Sequence, residues 1–192
     1  MSAGAPGEGR YARLEREQRW VLSGRPGDLC DPVSISDRYL AGTRLRLRRT
    51  TSARTDTYKL SQKVRLRPEE PGVVSLTTIY LSPDEFGALG NLAGDDLAKT
   101  RWRIPEGRAV VDDFAGPLAG LVLAEVELDP GEPPMPPPPL AVADVTDDDR
   151  FSGGALARLD APGIAGLFDL VAALRAQAGP TGGTAGTQGD PP

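Results

Sequence analysis

Histidine is absent from the 192-residue sequence, and cysteine occurs only once, at Cys30. Without histidine, the chain cannot use Ser-His or Cys-His nucleophilic schemes, a histidine general base or a zinc site with histidine ligands. A single cysteine excludes an intramolecular disulfide and is compatible with a reducing compartment. Any catalysis must therefore rely on carboxylates, Lys, Arg, Tyr or a hard metal ion.

Long apolar runs are also missing. The longest mostly apolar run, at residues 118–126, is far shorter than the roughly 20 residues of a membrane-spanning helix. The N-terminus carries no charged-then-apolar signal. The net charge of −5 and the pI near 4.9 give no support to nonspecific nucleic-acid binding. We therefore expect a soluble, cytoplasmic protein, with neither a membrane nor a nucleic acid as its partner.

Glycine and proline are frequent, and they concentrate at the ends and in one connector. Residues 1–10 are predicted to be a flexible N-terminus and residues 176–192 a disordered tail, because neither can bury much apolar area. A connector at residues 130–139 reads "PGEPPMPPPP". It can neither pair in a sheet nor form a helix, so we predict a stiff surface segment. Residues 11–175 remain as a single folded domain.

Most of this domain has strand character. Predicted strands lie near residues 12–22, 37–41, 43–49, 56–66, 73–81, 99–104, 108–114 and 121–129. Most connections are too short for parallel crossovers, so we expect a mainly antiparallel sheet.

Three segments are predicted to be helical. Ser82 and Glu85 have the spacing of a capping box, with Pro83 at the first helical position. Leu156 and Leu159 indicate a second, short helix. Apolar residues at 3.6-residue spacing predict a third, and they are Ile164, Leu167, Phe168, Val171 and Leu174.

Charged residues alternate along several strands, and the sign of the charge is segregated between strands. Acidic or mixed alternation occurs at Glu15, Glu17 and Arg19, at Asp113, and at Glu125 and Glu127. Basic alternation occurs at Arg44, Arg46 and Arg48, at Lys59, Lys63 and Arg65, and at Lys99, Arg101 and Arg103. A sheet with one solvated face explains the alternation in each strand. An ordinary surface, however, mixes the two signs.

About eight strands are enough to close a barrel, and closure could place the charged face inside as a polar tunnel. Such a tunnel is costly unless its charges are paired or neutralised by a ligand. A polyphosphate needs Lys and Arg for its oxygens and a hard divalent cation held by carboxylates. Opposed acidic and basic walls therefore favour a polyphosphate ligand.

The pattern Glu15-x-Glu17-x-Arg19 resembles the ExExK strand of the CYTH superfamily, the triphosphate tunnel metalloenzymes. Four further segments resemble later strands of the family and occur in the family's order. They are "LRLR" at 45–48, "YKLSQK" at 58–63, "KTRWRI" at 99–104 and "GLVLAEVEL" at 120–128. The segment "DVTDDDRFSGGALA" at 144–157 is similar to the family segment that follows. Each motif is common by itself, whereas the ordered set over residues 12–160 is specific.

The resemblance implies an α+β fold: an eight-stranded antiparallel β-barrel, or tunnel, with flanking helices. It implies a metal-dependent hydrolase of inorganic triphosphate or a related small triphosphate compound, with Mg²⁺ or Mn²⁺ as cofactor. The metal ligands implied by position are Glu15, Glu17, Asp113, Glu125 and Glu127. The implied phosphate-binding residues are Arg46, Arg48, Lys63 and Arg101. The implied catalytic residues are Glu15, Glu17 and Arg19.

The sequence departs from the family at Arg19, where the motif normally has lysine. Arginine keeps the positive charge but does not release its proton, which favours phosphate binding over proton transfer at this position. Two alternatives therefore stay open: a non-catalytic polyphosphate- or nucleotide-binding protein, and a class IV type adenylate cyclase. Also open are the substrate, the choice of metal, a homodimeric state, and the place of the C-terminal helix, either in one tunnel mouth or outside the barrel.

Overall fold

The described residues of the computed structural model, 10–66, 73–129 and 131–178, form nine strands and three α-helices. The strands are β1 (Arg13–Leu22), β2 (Cys30–Leu40), β3 (Leu45–Thr51), β4 (Asp56–Arg65), β5 (Val73–Leu81), β6 (Gly94–Arg103), β7 (Val110–Phe114), β8 (Val122–Leu128) and β9 (Ala141–Asp144). The helices are α1 (Pro83–Gly90), α2 (Gly153–Ala157) and α3 (Ala161–Gln177). The predicted flexible N-terminus and disordered tail fall outside the described residues, apart from residue 10 and residues 176–178.

Eight of the strands close into an antiparallel barrel in the order β1-β5-β4-β3-β2-β6-β7-β8, with β8 returning to β1. Strand β1 closes the ring because residues 13–16 pair with β5 while residues 16–21 pair with β8. The short β9 pairs with residues 20–22 of β1, beyond the end of the β5 pairing. The predicted eight-stranded antiparallel barrel is confirmed.

The register places the charged alternate residues on one common face of the barrel. Glu17 lies opposite Glu127, and Arg19 lies opposite Glu125. Side chains of directly opposed residues point to the same side of a sheet. Residues of the opposite face, such as Trp20 and Val126, form a buried apolar cluster with Met135 of the proline-rich connector. The connector therefore covers the outside, and the charged face is the inner one.

The C-terminal helices close one end of the barrel. At that end the inner positions are apolar, and the side chains are Val21, Leu97, Phe114 and Leu123. They pack in one buried cluster with residues of the C-terminal segment, Phe151, Leu156, Leu167 and Val171. Arg175 of α3 also donates hydrogen bonds to the carbonyl oxygens of Leu22 (3.2 Å) and Gly120 (3.1 Å). The sequence left two positions open for the C-terminal helix, in one tunnel mouth or outside the barrel. The structure shows it in one mouth of the barrel.

Helix α1 begins with the predicted capping box. The Ser82 hydroxyl accepts a hydrogen bond from the Glu85 backbone N–H (3.2 Å), and the Glu85 carboxylate accepts one from the Ser82 N–H (2.7 Å). Phe86 packs against Tyr58 on the outside of β4, with ring centroids 4.9 Å apart. Within the described part of the chain, no helix has the length and apolarity needed to cross a bilayer.

Two strands begin well before their predicted start, and one strand was not predicted. Strand β2 begins at Cys30 instead of residue 37, and its first residues contain Pro32, a bulge, and Asp31 at a φ of 50°. Strand β6 begins at Gly94 instead of residue 99, through a polar stretch with little strand propensity. Each addition pairs with the predicted part of the neighbouring strand: residues 30–35 of β2 pair with residues 99–103 of β6, and residues 94–97 of β6 pair with residues 37–40 of β2. Tertiary pairing therefore overrides local propensity. Strand β9 was not predicted because it contains only four residues.

Candidate functional site

The inner face surrounds a cavity of about 510 Å³. Nine of the ten site residues indicated by the sequence line it, and they are Glu15, Glu17, Arg19, Arg46, Arg48, Lys63, Arg101, Glu125 and Glu127. They come from five different strands and meet because alternate residues of each strand share the inner face. The convergence is therefore observed, while the roles of these residues remain predictions.

Asp113 is the residue that needs correction. It does not line the cavity, and its ion-pair partner is Arg25 in the β1–β2 loop, at 3.9 Å. The preceding residue, Asp112, is fully buried and lies opposite Arg101 on the inner face. A shift of one residue in a strand moves a side chain to the other face of the sheet. Because two aspartates are adjacent here, the sequence alone does not show which of them faces the interior. Asp112, and not Asp113, belongs to the charged interior.

Asp112 is held by two cations of β6. The Arg101 guanidinium donates to both Asp112 carboxylate oxygens at 2.7 Å, and the Lys99 ammonium is bonded to the same carboxylate. Burial lowers the pKa of Lys99 in spite of this partner. The site therefore contains a buried ion cluster on the β6–β7 side, of which the sequence analysis assigned a role only to Arg101.

Asp37 of β2 is a second interior acid without an assigned role in the sequence analysis. Its carboxylate accepts two hydrogen bonds from Arg48, each 2.6 Å long, in a bidentate arrangement. Burial by itself would raise the pKa of Asp37, but Arg48 outweighs it and the pKa is lowered. The signal in the sequence was the position of Asp37 in a strand beside the basic "LRLR" strand, where a buried arginine needs an anion.

The acidic wall is formed by β1 and β8, and Arg19 bridges the two strands. Arg19 Nη2 donates to Glu17 Oε2 at 3.1 Å, and Arg19 Nε donates to Glu125 Oε1 at 2.9 Å. Arg101 Nη2 reaches the other Glu125 oxygen, Oε2, at 2.5 Å. Burial would raise the pKa of Glu125, but the cations around it hold that pKa well below its ordinary value.

Lys63 joins this wall from β4. Its Nζ atom lies 2.6 Å from Glu15 Oε2 and 3.3 Å from Glu17 Oε1. Burial would raise the pKa of Glu17, but Lys63 and Arg19 outweigh it and the pKa is lowered. For Glu15, burial and the neighbouring Glu17 charge raise the pKa despite Lys63. The two glutamates of the motif are therefore electrostatically different.

Arg46 is the least engaged of the predicted phosphate-binding residues. Its Nε atom lies 3.8 Å from Asp37 Oδ1, beyond hydrogen-bond distance, and is buried without a hydrogen-bond partner among the described residues. The side chain lines the cavity and is only 15% exposed. A buried guanidinium nitrogen that lacks an acceptor is a suitable donor for an anionic ligand.

The segment after β9 forms the remaining wall of the cavity. The Thr146 hydroxyl accepts from the Arg19 backbone N–H at 3.0 Å, which fixes the segment to β1. Asp149 is bound bidentately by Arg65 of β4. Gly153 packs so closely on the Tyr39 hydroxyl that a Cβ atom would not fit there without movement. The sequence segment that resembles the family's closing region therefore lies against the cavity.

The carboxylates of the acidic wall match a divalent cation in donor type. Glu15, Glu17, Glu125 and Glu127 offer only oxygen donors from two adjacent strands, which is what Mg²⁺ and Mn²⁺ prefer. Yet no group of three or more His, Cys, Asp or Glu residues in the described ranges is gathered closely enough to hold an ion. The carboxylates are kept apart because the cations Arg19 and Lys63 lie between them. A divalent cation can therefore be held here only after these ion pairs rearrange.

Comparisons with known proteins give a match among solved structures. No family model matches the chain, and no curated protein matches it. The crystal structure of the inorganic triphosphatase NE1496 matches with a TM-score of 0.50 and 24% identity, covering 76% of this chain and 95% of that chain. A crystal structure of the hypothetical protein NE1496 matches with a TM-score of 0.49 and 25% identity, covering 74% and 97%. The PH1819 protein from Pyrococcus horikoshii OT3 matches with a TM-score of 0.45 and 13% identity, covering 83% and 89%.

The likeness to the inorganic triphosphatase spans three quarters of this chain and nearly all of the other. The chain therefore shares the fold of that protein, and its own fold is an eight-stranded antiparallel barrel with flanking helices.

Proposed function

We propose that this protein is a phosphoric anhydride hydrolase that cleaves inorganic triphosphate, or a related small triphosphate, inside the barrel with Mg²⁺ or Mn²⁺. The observation that supports the proposal is the convergence of opposed cationic and acidic walls on one cavity of about 510 Å³. The shared fold with a protein named as an inorganic triphosphatase points in the same direction.

The cations supply the binding of phosphate oxygens. Arg48 and Arg101 are held in fixed orientations by Asp37 and Asp112, so their planar guanidinium groups lose little further freedom on binding. Arg46 Nε is a donor without a partner among the described residues, and we assign Arg46 the first contact with the ligand. Lys63 supplies a point charge at the border between the two walls. The ligand class is therefore a compact, highly charged polyphosphate.

Hydrolysis needs a water molecule directed at a terminal phosphorus. Glu15, Glu17, Glu125 and Glu127 are the residues that would hold a divalent cation, which when bound neutralises phosphate charge and lowers the pKa of the attacking water. Arg19 keeps its charge throughout, so its role in our scheme is electrostatic and not proton transfer. Helices α2 and α3 fill one end of the barrel and limit the approach of ligands from that end.

A polyphosphate-binding protein without turnover is the second candidate. Arg19 is the observation that favours it, because this residue replaces the lysine of the motif and engages Glu17 and Glu125 in ion pairs. The deciding experiment is a phosphate-release assay with purified protein, Mg²⁺ or Mn²⁺, and tripolyphosphate, ATP or thiamine triphosphate, with pyrophosphate and cyclic AMP also measured. We expect release of orthophosphate. Binding without any release would favour the second candidate.

Tripolyphosphate with Mg²⁺ should stabilise the folded protein under either candidate function. A ligand that binds only the folded state at about 100 times its Kd adds about 2.7 kcal/mol to the free energy of unfolding. For a domain of this size, the melting temperature should rise by roughly 5–10 °C. Differential scanning fluorimetry measures the shift, with orthophosphate as the control ligand. An unchanged melting temperature at millimolar ligand would contradict both candidates.

Arg46→Ala should weaken tripolyphosphate binding by roughly 10–100-fold, because a charge-assisted hydrogen bond contributes about 1.5–3 kcal/mol. Isothermal titration calorimetry measures the Kd. The matched control is Arg49→Ala, which removes an arginine from the same strand. Arg49 pairs instead with Asp56 at 2.6 Å, in a partly exposed position. Equal losses of affinity in the two variants would refute the assignment of Arg46.

A further inference from the structure

Arg19 bridges the carboxylates of Glu17 and Glu125, and every oxygen of these two carboxylates has a cationic partner. Glu17 Oε2 and Glu125 Oε1 are bound by Arg19. The other oxygen of Glu17 contacts Lys63 at 3.3 Å, and the other oxygen of Glu125 contacts Arg101 at 2.5 Å. All four oxygens of these two glutamates therefore have a cationic partner before any ligand binds.

The geometry of this bridge depends on arginine. Glu17 and Glu125 sit on neighbouring strands and are offset along them, since Arg19 and not Glu17 is opposite Glu125. A planar guanidinium presents several donors in a fixed fork and can contact both carboxylates at once. The side chain is only 13% exposed, so solvent screens these contacts weakly.

The formal charges of the cluster cancel. Glu15, Glu17 and Glu125 carry three negative charges, and Arg19, Lys63 and Arg101 carry three positive ones. A bare divalent cation therefore meets no excess negative charge among these six residues and no free oxygen on Glu17 or Glu125. Affinity for such a cation follows the number of charged oxygen ligands that are free to coordinate it. A polyphosphate changes this balance, because its oxygens compete for the same arginine and lysine donors.

We propose that Arg19 is a built-in counter-ion that makes divalent-cation binding conditional on the polyphosphate. Without polyphosphate, Glu17 and Glu125 hold guanidinium groups and exclude the metal ion. With polyphosphate, the cavity cations turn to the phosphate oxygens and the glutamates become available to the ion that accompanies the ligand. The inference rests on the proposed function, because it specifies the order in which the two components enter the same site.

Direct metal titration tests this inference without measuring turnover. Free Mn²⁺ is followed by electron paramagnetic resonance while Mn²⁺ is added to protein that contains no phosphate compound. Wild-type protein should bind no stoichiometric Mn²⁺ up to about 1 mM. Arg19→Met should bind Mn²⁺ at least about tenfold more tightly than wild type, because two charged carboxylates lose their fixed partner. Glu17→Gln in the Arg19→Met background should remove the gain.

Arg16→Met is the matched control. It also removes an arginine from β1, but Arg16 Nη1 donates to the Glu132 carbonyl oxygen at 2.6 Å, and Arg16 alternates with the inward-facing Glu15 and Glu17. Its Mn²⁺ binding should equal that of wild type. A melting curve confirms that each variant is folded. If Arg19→Met does not fold, Arg19→Lys replaces it, and this variant should also bind Mn²⁺ more tightly because one ammonium cannot satisfy both carboxylates in the same way.

Two results would overturn the inference: stoichiometric binding of Mn²⁺ to wild type below about 1 mM, or folded Arg19 variants with no gain over wild type. Either result leaves the proposed function intact if phosphate release is observed. Conversely, gain of Mn²⁺ binding in the Arg19 variants, together with wild-type protein that neither binds nor cleaves tripolyphosphate, would refute the proposed function and retain the counter-ion role.

Discussion

Replacement of Asp112 by asparagine is expected to lower the free energy of unfolding by about 3–5 kcal/mol, the usual cost of removing one partner from a buried ion pair. Asp112 is fully buried and binds Lys99 and Arg101. Asparagine has nearly the same shape but no charge, so two cations would lose their common anion. Lys99 is itself 7% exposed and cannot recover by moving into water. Urea unfolding followed by tryptophan fluorescence measures the change.

Asp113→Asn provides a sharp control, because it makes the same chemical change one residue away. Asp113 is about one third exposed, and its ion-pair contact with Arg25 is 3.9 Å long. The expected loss is at most about 1 kcal/mol, the range of exposed ion pairs. If Asp113→Asn were the more damaging substitution, the assignment of Asp112 to the interior would be wrong, and β7 would have the opposite orientation.

Glu17→Gln is expected to reduce phosphate release by about 10²–10⁴-fold, the range found when a well-placed catalytic group is lost. Glu17 lines the cavity on the acidic wall, where it contacts both Arg19 and Lys63. The amide keeps the shape of the side chain but removes a charged oxygen ligand of the hard cation in the proposed scheme. A tenfold change in rate corresponds to about 1.4 kcal/mol, so the effect is readily measured.

The exposed Glu106 gives the control for this measurement, because Glu106→Gln removes a carboxylate outside the cavity and should leave the rate unchanged. The assay uses tripolyphosphate, ATP and thiamine triphosphate with each metal in turn. A melting curve shows whether Glu17→Gln is folded. Wild-type release no faster than that of folded Glu17→Gln on every substrate would show that the protein does not hydrolyse these compounds, and would favour the binding protein.

Much of the site could be predicted from the sequence because the two-residue periodicity of a strand determines which side chains share a face. Glu15 and Glu17 must share a face with Arg19 whatever the sheet does, since side chains alternate along a strand. The same holds for Arg46 and Arg48. Where the pattern contained two candidates in succession, at Asp112 and Asp113, periodicity could not choose between them. That choice depends on the register of β7 against β6, which places Asp112 opposite Arg101.

Asp37 shows a different limit of prediction from the sequence. Its strand has Asp31 at positive φ and Pro32 near its start, so the local sequence predicted only residues 37–41 as a strand. The segment is a strand because β3 and β6 pair with it on both edges. Its carboxylate then meets Arg48 at a separation of 11 residues in sequence. The position of Asp37 beside the basic strand was a signal in the sequence, but its pairing with Arg48 in particular depends on the register of β2 against β3, in which the two residues lie opposite each other.

The sequence by itself determined the alternation within each strand, the order of the motifs and the class of fold, because these depend on local backbone geometry and on short stretches of chain. Only the tertiary structure decided that the charged face is the interior, that α2 and α3 fill one end, and that Arg19 bridges Glu17 and Glu125. Arg19 and Glu125 are 106 residues apart. Contacts of this kind depend on barrel closure and cross-strand register, which are set by the packing of the whole sheet and by no single segment.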